Sequence, residues 1–248
     1  MNLYDPIGFF YTCYNEHRAV GYSLKKLRQN YPDAPIYLVS EGDDFSYLQD
    51  EYDELVCDKE EDTMSPTFGI TGDYWTGNFR EENHQKAIHK CAWATLNRLE
   101  KAIEYCKTDY MVMCDPDTLV RGELTIPEGV KLLGSKLNQL PPEFKGLQEV
   151  LKSIDGAISI DSWGAQPCVF ETNTFLKALS VLKSNPEILG RLSMEYYALH
   201  AHDLLLPLMF ALVGEEETFN PDIIECERDG KWQSKPNPLV HQFRVYYE

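Results

Sequence analysis

Three short apolar runs limit the fold of this chain more than any other feature, because each stops on polar residues and is set off by segments of helical period. IGFFYTCYN (residues 7–15) reads as a buried strand. The segment HRAVGYSLKKLRQNY after it puts Val20, Leu24 and Leu27 on one helix face. APIYLVSEGDD reads as a second strand, FSYLQDEYD as a short helix and ELVCD as a third strand. A loop rich in Gly and Thr (63–79) then leads to the longest helix, from about Glu81 to Cys106, with Ile88, Ala92, Leu96, Leu99 and Ile103 at helical spacing. The strand Tyr110 to Cys114 closes the series. Strands alternating with helices predict an α/β fold, a mixed and mostly parallel sheet flanked by helices on both faces.

Beyond Gly122 the pattern loosens. KLLGS reads as a strand, NQLPPEFKGLQEVLKS as a loop entering a helix, and AISIDSWGAQPCVFET as one or two strands. NTFLKALSVLKSN is a helix, SMEYYALHAHDLLLPLMFALVG a helix containing Pro207, and NPLVHQFRVYYE a last short strand. The expectation is a single continuous domain in two halves, residues 1–122 and 123–248.

Charge narrows the partners. The chain of 248 residues has 40 acidic against 23 basic side chains, a net charge of −17. That field repels nucleic-acid phosphates and anionic membrane surfaces, so neither is expected as a partner. An anionic substrate would need a cation supplied locally. The seven cysteines form no CxxC pair, so no zinc cluster or redox motif is indicated, and a reduced intracellular setting is expected. MNLYDPIGFF lacks a basic, then apolar leader, and no run approaches the roughly 20 apolar residues of a membrane span. A soluble, cytoplasmic protein without a transmembrane segment is the expectation.

The strand YMVMC runs directly into Asp115-Pro116-Asp117. On an extended chain, residues two apart point to one side, which would hold these carboxylates about 6–7 Å from each other. Like charges that close cost free energy unless a cation lies between them, and oxygen ligands suit Mg²⁺ or Mn²⁺. Ligands of open α/β sheets bind beyond the carboxyl ends of the strands, where this pair lies. The alternative is an Asp-Pro-Asp turn whose carboxylates cap backbone amides.

An N-terminal α/β half, a long helix, an apolar strand ending in Asp-x-Asp near mid-chain and a late histidine together resemble the GT-A glycosyltransferases, which use nucleotide-sugar donors. The resemblance implies that residues 1–122 form the donor-binding half, ending in the Asp-x-Asp strand. Residues 123–248 would carry the acceptor site and the rest of the metal site. It further implies that Asp117 binds Mn²⁺ (or Mg²⁺) directly, that Asp115 reaches the metal or the donor ribose, and that His241 completes the metal site. Asp203, in HAHDLL, is the candidate base for an inverting transfer from a donor such as a UDP-sugar to a hydroxyl of a glycan acceptor. The family's commoner Glu-Asp pair is His-Asp here, with His202 before it, and a helix-capping aspartate is the other reading. His200 and His202 diverge on a helix and make a poor metal pair.

Thr12, Tyr14 and Asn15 follow the first strand, and Glu41, Asp43 and Asp44 the second; these should hold the base and ribose. Arg18, Arg80, Lys86 and Lys90 are cations in reach of a diphosphate. Trp163 and Gln166 are acceptor-site candidates, and Trp75 and Trp232 sit on loops that would close over the donor.

The same residues admit a retaining transferase. They also admit a catalytically inactive sugar-nucleotide-binding module. A phosphatase of the haloacid dehalogenase type fits less well, because its motif asks for Thr or Val where Leu119 stands and lies on the opening strand. A nucleotidyltransferase, a dinucleotide enzyme or a P-loop enzyme would each need a glycine-rich loop that YTCYNEHRAVG does not offer.

Overall fold

The structure, a computed structural model, describes residues 6–13, 16–57, 81–134, 138–139, 145–160, 162–163, 167–189, 202–226 and 237–241; for 81–89, 138–139, 145–147, 162–163, 202–204, 225–226 and 241 it describes the backbone alone. The first half follows the strand–helix alternation of the sequence. Strand β1 (Ile7–Cys13) leads to helix α1 (His17–Asn30), then β2 (Ile36–Ser40), a 3-10 turn at Ser46–Leu48, and β3 (Glu54–Cys57). Helix α2 (Glu81–Cys106) and β4 (Tyr110–Cys114) follow. Where a nine-residue short helix was expected over 45–53, only one 3-10 turn forms.

The second half adds β5 (Thr118–Val120), β6 (Leu132–Gly134), β7 (Asn138–Gln139), α3 (Lys145–Lys152), β8 (Ser162–Trp163), β9 (Cys168–Glu171) and α4 (Thr172–Ser184). Helix α5 (His202–Ala211) carries Pro207 in its interior, and β10 (Glu217–Phe219), β11 (Ile224–Cys226) and β12 (Leu239–His241) complete the described elements. Strands β5, β10 and β11 have three residues each, too short for their alternation to stand out in the sequence.

The main sheet has seven strands in the order β10-β6-β9-β4-β1-β2-β3. Strands β1 to β4 run parallel, as do β10 and β6, while β9 lies antiparallel between β4 and β6. The sheet is therefore mixed and mostly parallel, and it draws strands from both halves of the chain.

Successive strand residues point to opposite faces, and the core divides accordingly. Phe10, Tyr37, Val39, Met111, Met113 and Phe170 face one way and pack with α2 to α5. Phe9, Tyr11, Ile36, Leu38, Val112 and Val169 face the other, against α1 and a small sheet in the order β11-β12-β5. Each large apolar side chain buried this way contributes about 1.5–3 kcal/mol. Gly8 is glycine for space: a Cβ there would stand 2.7 Å from Met111 Sδ and 2.8 Å from Thr108 Oγ1.

Helix α1 buries Ala19, Val20, Ser23, Leu24 and Leu27, one stripe at helical spacing, and ends where Tyr31 N–H bonds to Leu27 O at 2.8 Å, just before Pro32. Helix α2 ends at Lys107, whose φ of 53° is left-handed and whose N–H bonds to Ile103 O at 2.9 Å. Cys106 Sγ lies 3.9 Å from Pro35 O, so the C-terminus of α2 sits beside the start of β2. The N-terminal turns of α2 therefore lie towards the carboxyl ends of the strands.

Candidate functional site

Strands β1, β2 and β4 are adjacent and parallel, so their carboxyl ends open on one edge of the sheet. Cys13, Glu41 and Asp115 stand at those ends. Burial raises the Cys13 thiol well above its ordinary pKa, and the charges of Asp115, Glu16 and Glu41 raise it further. The thiol thus registers the field of three carboxylates from three different segments.

The Asp-Pro-Asp segment is not extended. Asp115 O accepts the Thr118 N–H at 3.0 Å, and Thr118 Oγ1 accepts the Asp115 N–H at 3.0 Å, closing a four-residue turn between β4 and β5. The expectation of two carboxylates spaced along a straight strand is corrected by this turn: proline at its second position is preset for the bend. Asp117 is 5% exposed, and Asp115 is half-buried.

Strand β12 returns the end of the described chain to this turn. It pairs antiparallel with β5, setting Leu239 opposite Val120 and His241 opposite Thr118. The backbone of His241 therefore lies one strand away from the residue after Asp117. Arg121 secures the same junction, donating from its backbone N to Pro238 O at 2.8 Å and from Nε to Asn237 O at 2.7 Å.

The donor-site candidates have several fates. Thr12 is buried near the end of β1. Glu41 directly follows β2, but its carboxylate is buried and held by Arg98 of α2; the side chains are 0% and 5% exposed. Arg98 carried no signal in the sequence beyond its place in a long helix. His17 Nε2 lies 2.8 Å from Asp43 Oδ2, while His17 Nδ1 meets Tyr47 Oη at 3.0 Å and its ring stacks on Phe45 at 4.6 Å. Asp44 Oδ1 caps the Ser46 N–H at 2.8 Å. Lys90 is exposed two turns before Arg98, about 12 Å up the helix axis, on the side of the strand ends. Arg18 is exposed in the first turn of α1.

Asp203 is the second described residue of α5; its side chain and those of His202, His241, Lys86 and Trp163 lie outside the described ones. Tyr14, Asn15, Trp75, Arg80, Gln166, His200 and Trp232 lie outside the described residues.

Among the described residues no group of three or more His, Cys, Asp or Glu side chains forms a closed metal site. Asp115 and Asp117 put two carboxylates on one turn, oxygen donors of the kind that Mg²⁺ or Mn²⁺ would take. Among the described residues no helix is long and apolar enough to cross a membrane.

The mixed, mostly parallel seven-stranded sheet with its flanking helices matches the fold of solved GT-A glycosyltransferases. Core-mannan synthase A from Aspergillus fumigatus, in a Mn/GDP form, superposes with a TM-score of 0.54 at 10% identity over 86% of this chain and 72% of its own. The bifunctional glycosyltransferase WbbM superposes at 0.51 with 11% identity, over 98% of this chain and 47% of its own. The galactosyltransferase LgtC, in complex with donor and acceptor sugar analogues, gives 0.47 at 14% identity over 95% of this chain and 86% of its own. No family model matches the sequence, and no curated protein matches it in sequence.

Proposed function

We propose that this protein is a metal-dependent glycosyltransferase that moves a sugar from a nucleotide-sugar donor to a hydroxyl of a glycan acceptor. The observation that carries the reading is the Asp115-Pro116-Asp117 turn at the carboxyl end of β4, beside the ends of β1 and β2, on a GT-A sheet. Asp117 and Asp115, with His241 arriving on β12, are the proposed ligands of Mn²⁺ or Mg²⁺. When bound, such a cation supplies positive charge against the diphosphate of the leaving nucleotide. Thr12, Tyr14, Asn15 and Asp43 are the proposed base and ribose contacts, and Lys90 a proposed diphosphate contact. The engagement of Glu41 by Arg98 favours a positioning part for Glu41 over direct contact.

Asp203, at the start of α5, is the proposed base, taking the proton of the acceptor hydroxyl as its oxygen attacks the anomeric carbon. This makes the transfer inverting. UDP-sugar is the proposed donor; because core-mannan synthase A is described with GDP, the nucleotide is the first thing to measure.

The test is calorimetric titration of UDP, GDP and CDP with and without Mn²⁺. Tight binding of one nucleotide only when Mn²⁺ is present supports the reading and identifies the donor class. Absence of binding under every condition refutes it. Asp203→Asn is expected to keep donor affinity and lose transfer; unchanged turnover would remove Asp203 as the base and leave the retaining route.

A further inference from the structure

Two hydroxyls are buried in the apolar layer between the sheet and α1. Tyr11, in the middle of β1, is 0% exposed among Phe9, Leu24 and Val112; Ser23, on the inner stripe of α1, is also 0% exposed. Burying such groups costs free energy unless each is hydrogen-bonded. Both converge on one acceptor. Ser23 Oγ donates to Thr118 O, Tyr11 Oη lies 3.3 Å from that same oxygen, and the two hydroxyls are 2.9 Å apart.

Thr118 is the closing residue of the Asp115–Thr118 turn. Its N–H and its Oγ1 are spent on Asp115, at 3.0 Å each. Its carbonyl, on a residue that is 0% exposed, meets both hydroxyls. The strand and the helix thus grip the turn from beneath while its own bonds close it from within.

We infer that Tyr11 and Ser23 are positioning residues that hold the Asp115-Pro116-Asp117 turn in its cation-binding shape. The inference rests on the proposed function for its purpose, and on hydrogen bonds alone for its mechanism. Removing both donors leaves the Thr118 carbonyl without a side-chain partner and frees the turn to flex. Groups that orient metal ligands typically change metal affinity about 10–100-fold when lost.

Tyr31 supplies the control. It packs in the same layer, and its hydroxyl accepts the Leu124 N–H at 2.5 Å, but it faces the opposite edge of the sheet. A purely structural hydroxyl and a positioning one should therefore part company.

The experiment compares Tyr11→Phe, the double variant Tyr11→Phe/Ser23→Ala, Tyr31→Phe and the unaltered protein. Amide hydrogen exchange at Thr118 is read without ligand, and Mn²⁺-dependent binding of UDP and GDP by calorimetry. The expected result is faster exchange at Thr118 and at least about a 10-fold weaker Mn²⁺-dependent affinity in the double variant. Tyr11→Phe alone should show a smaller change in the same direction, and Tyr31→Phe neither. Unchanged exchange at Thr118 in both Tyr11 variants overturns the inference whatever the nucleotides do. So does a loss of affinity in Tyr31→Phe equal to that of the double variant. If the unaltered protein binds neither nucleotide with Mn²⁺, the proposed function fails, while the exchange data still decide whether these hydroxyls hold the turn.

Discussion

The two edges of the main sheet differ in kind. At the amino ends of β1, β2 and β4, proline-bearing loops surround a cavity of about 970 Å³ lined by Pro6, Tyr31, Pro35, Glu123 and Ile126 among others. At the carboxyl ends, buried and half-buried carboxylates gather among the described residues, and groups inside the core reach up to them: Arg98 to the Glu41 carboxylate and Tyr11 to the carbonyl of Thr118, one residue after Asp117. These carboxylates do not line the cavity at the amino ends. In a parallel strand array every carboxyl end points to one edge, so the loops that follow bring side chains of unrelated segments together only there. The opposite edge receives the loops that enter the strands.

Three experiments would sharpen or break that contrast. The largest effect is expected from Arg98→Met, which leaves the Glu41 carboxylate buried without its cation. Removing one member of a buried pair costs about 3–5 kcal/mol, so a marked fall in the denaturation midpoint is expected by urea titration. A change under about 1 kcal/mol would mean that the carboxyl edge is far wetter than its burial indicates. Next comes Asp117→Asn, expected to weaken Mn²⁺-dependent nucleotide binding by on the order of 100-fold or more. Binding that stays equal in calorimetry would show that the acidic turn is no cation site. The smallest effect is expected from Thr125→Trp, which places a large side chain at the lining of the 970 Å³ cavity. Nucleotide affinity should not change; a clear loss would move the functional site to the amino edge.

The buried thiols behave alike at the two ends of the strands. Burial raises Cys106, beside the amino end of β2, to about 12, and Asp53 adds to the shift. At the carboxyl edge burial again dominates for Cys13, and the surrounding carboxylates add to it. Both thiols stay protonated near neutral pH and are poor nucleophiles there, whereas Cys57, at the exposed end of β3, is open to reagents.

Much was legible along the chain because the signals are local. The apolar runs of β1, β2 and β4 and the 26 residues of α2 declare themselves by length and period, and alternation alone implied a mostly parallel sheet. Asp115 and Asp117 stood out because charge at the end of an apolar strand needs a reason, whatever the rest of the fold. Other features depend on partners far away in sequence, and no periodicity announces them. Arg98 meets Glu41 across 57 positions, and Ser23 meets the Thr118 carbonyl across 95. The insertion of β9 antiparallel between β4 and β6 and the return of β12 to β5 are likewise pairings between distant segments. Even the conformation of Asp-Pro-Asp was decided in three dimensions, since a proline permits both a straight exit and a bend. The sequence by itself determined that a strand would end in two acids. Tertiary structure decided that they sit on a turn, held from below by a buried tyrosine and serine, because only the packed sheet and helix bring those hydroxyls to one carbonyl.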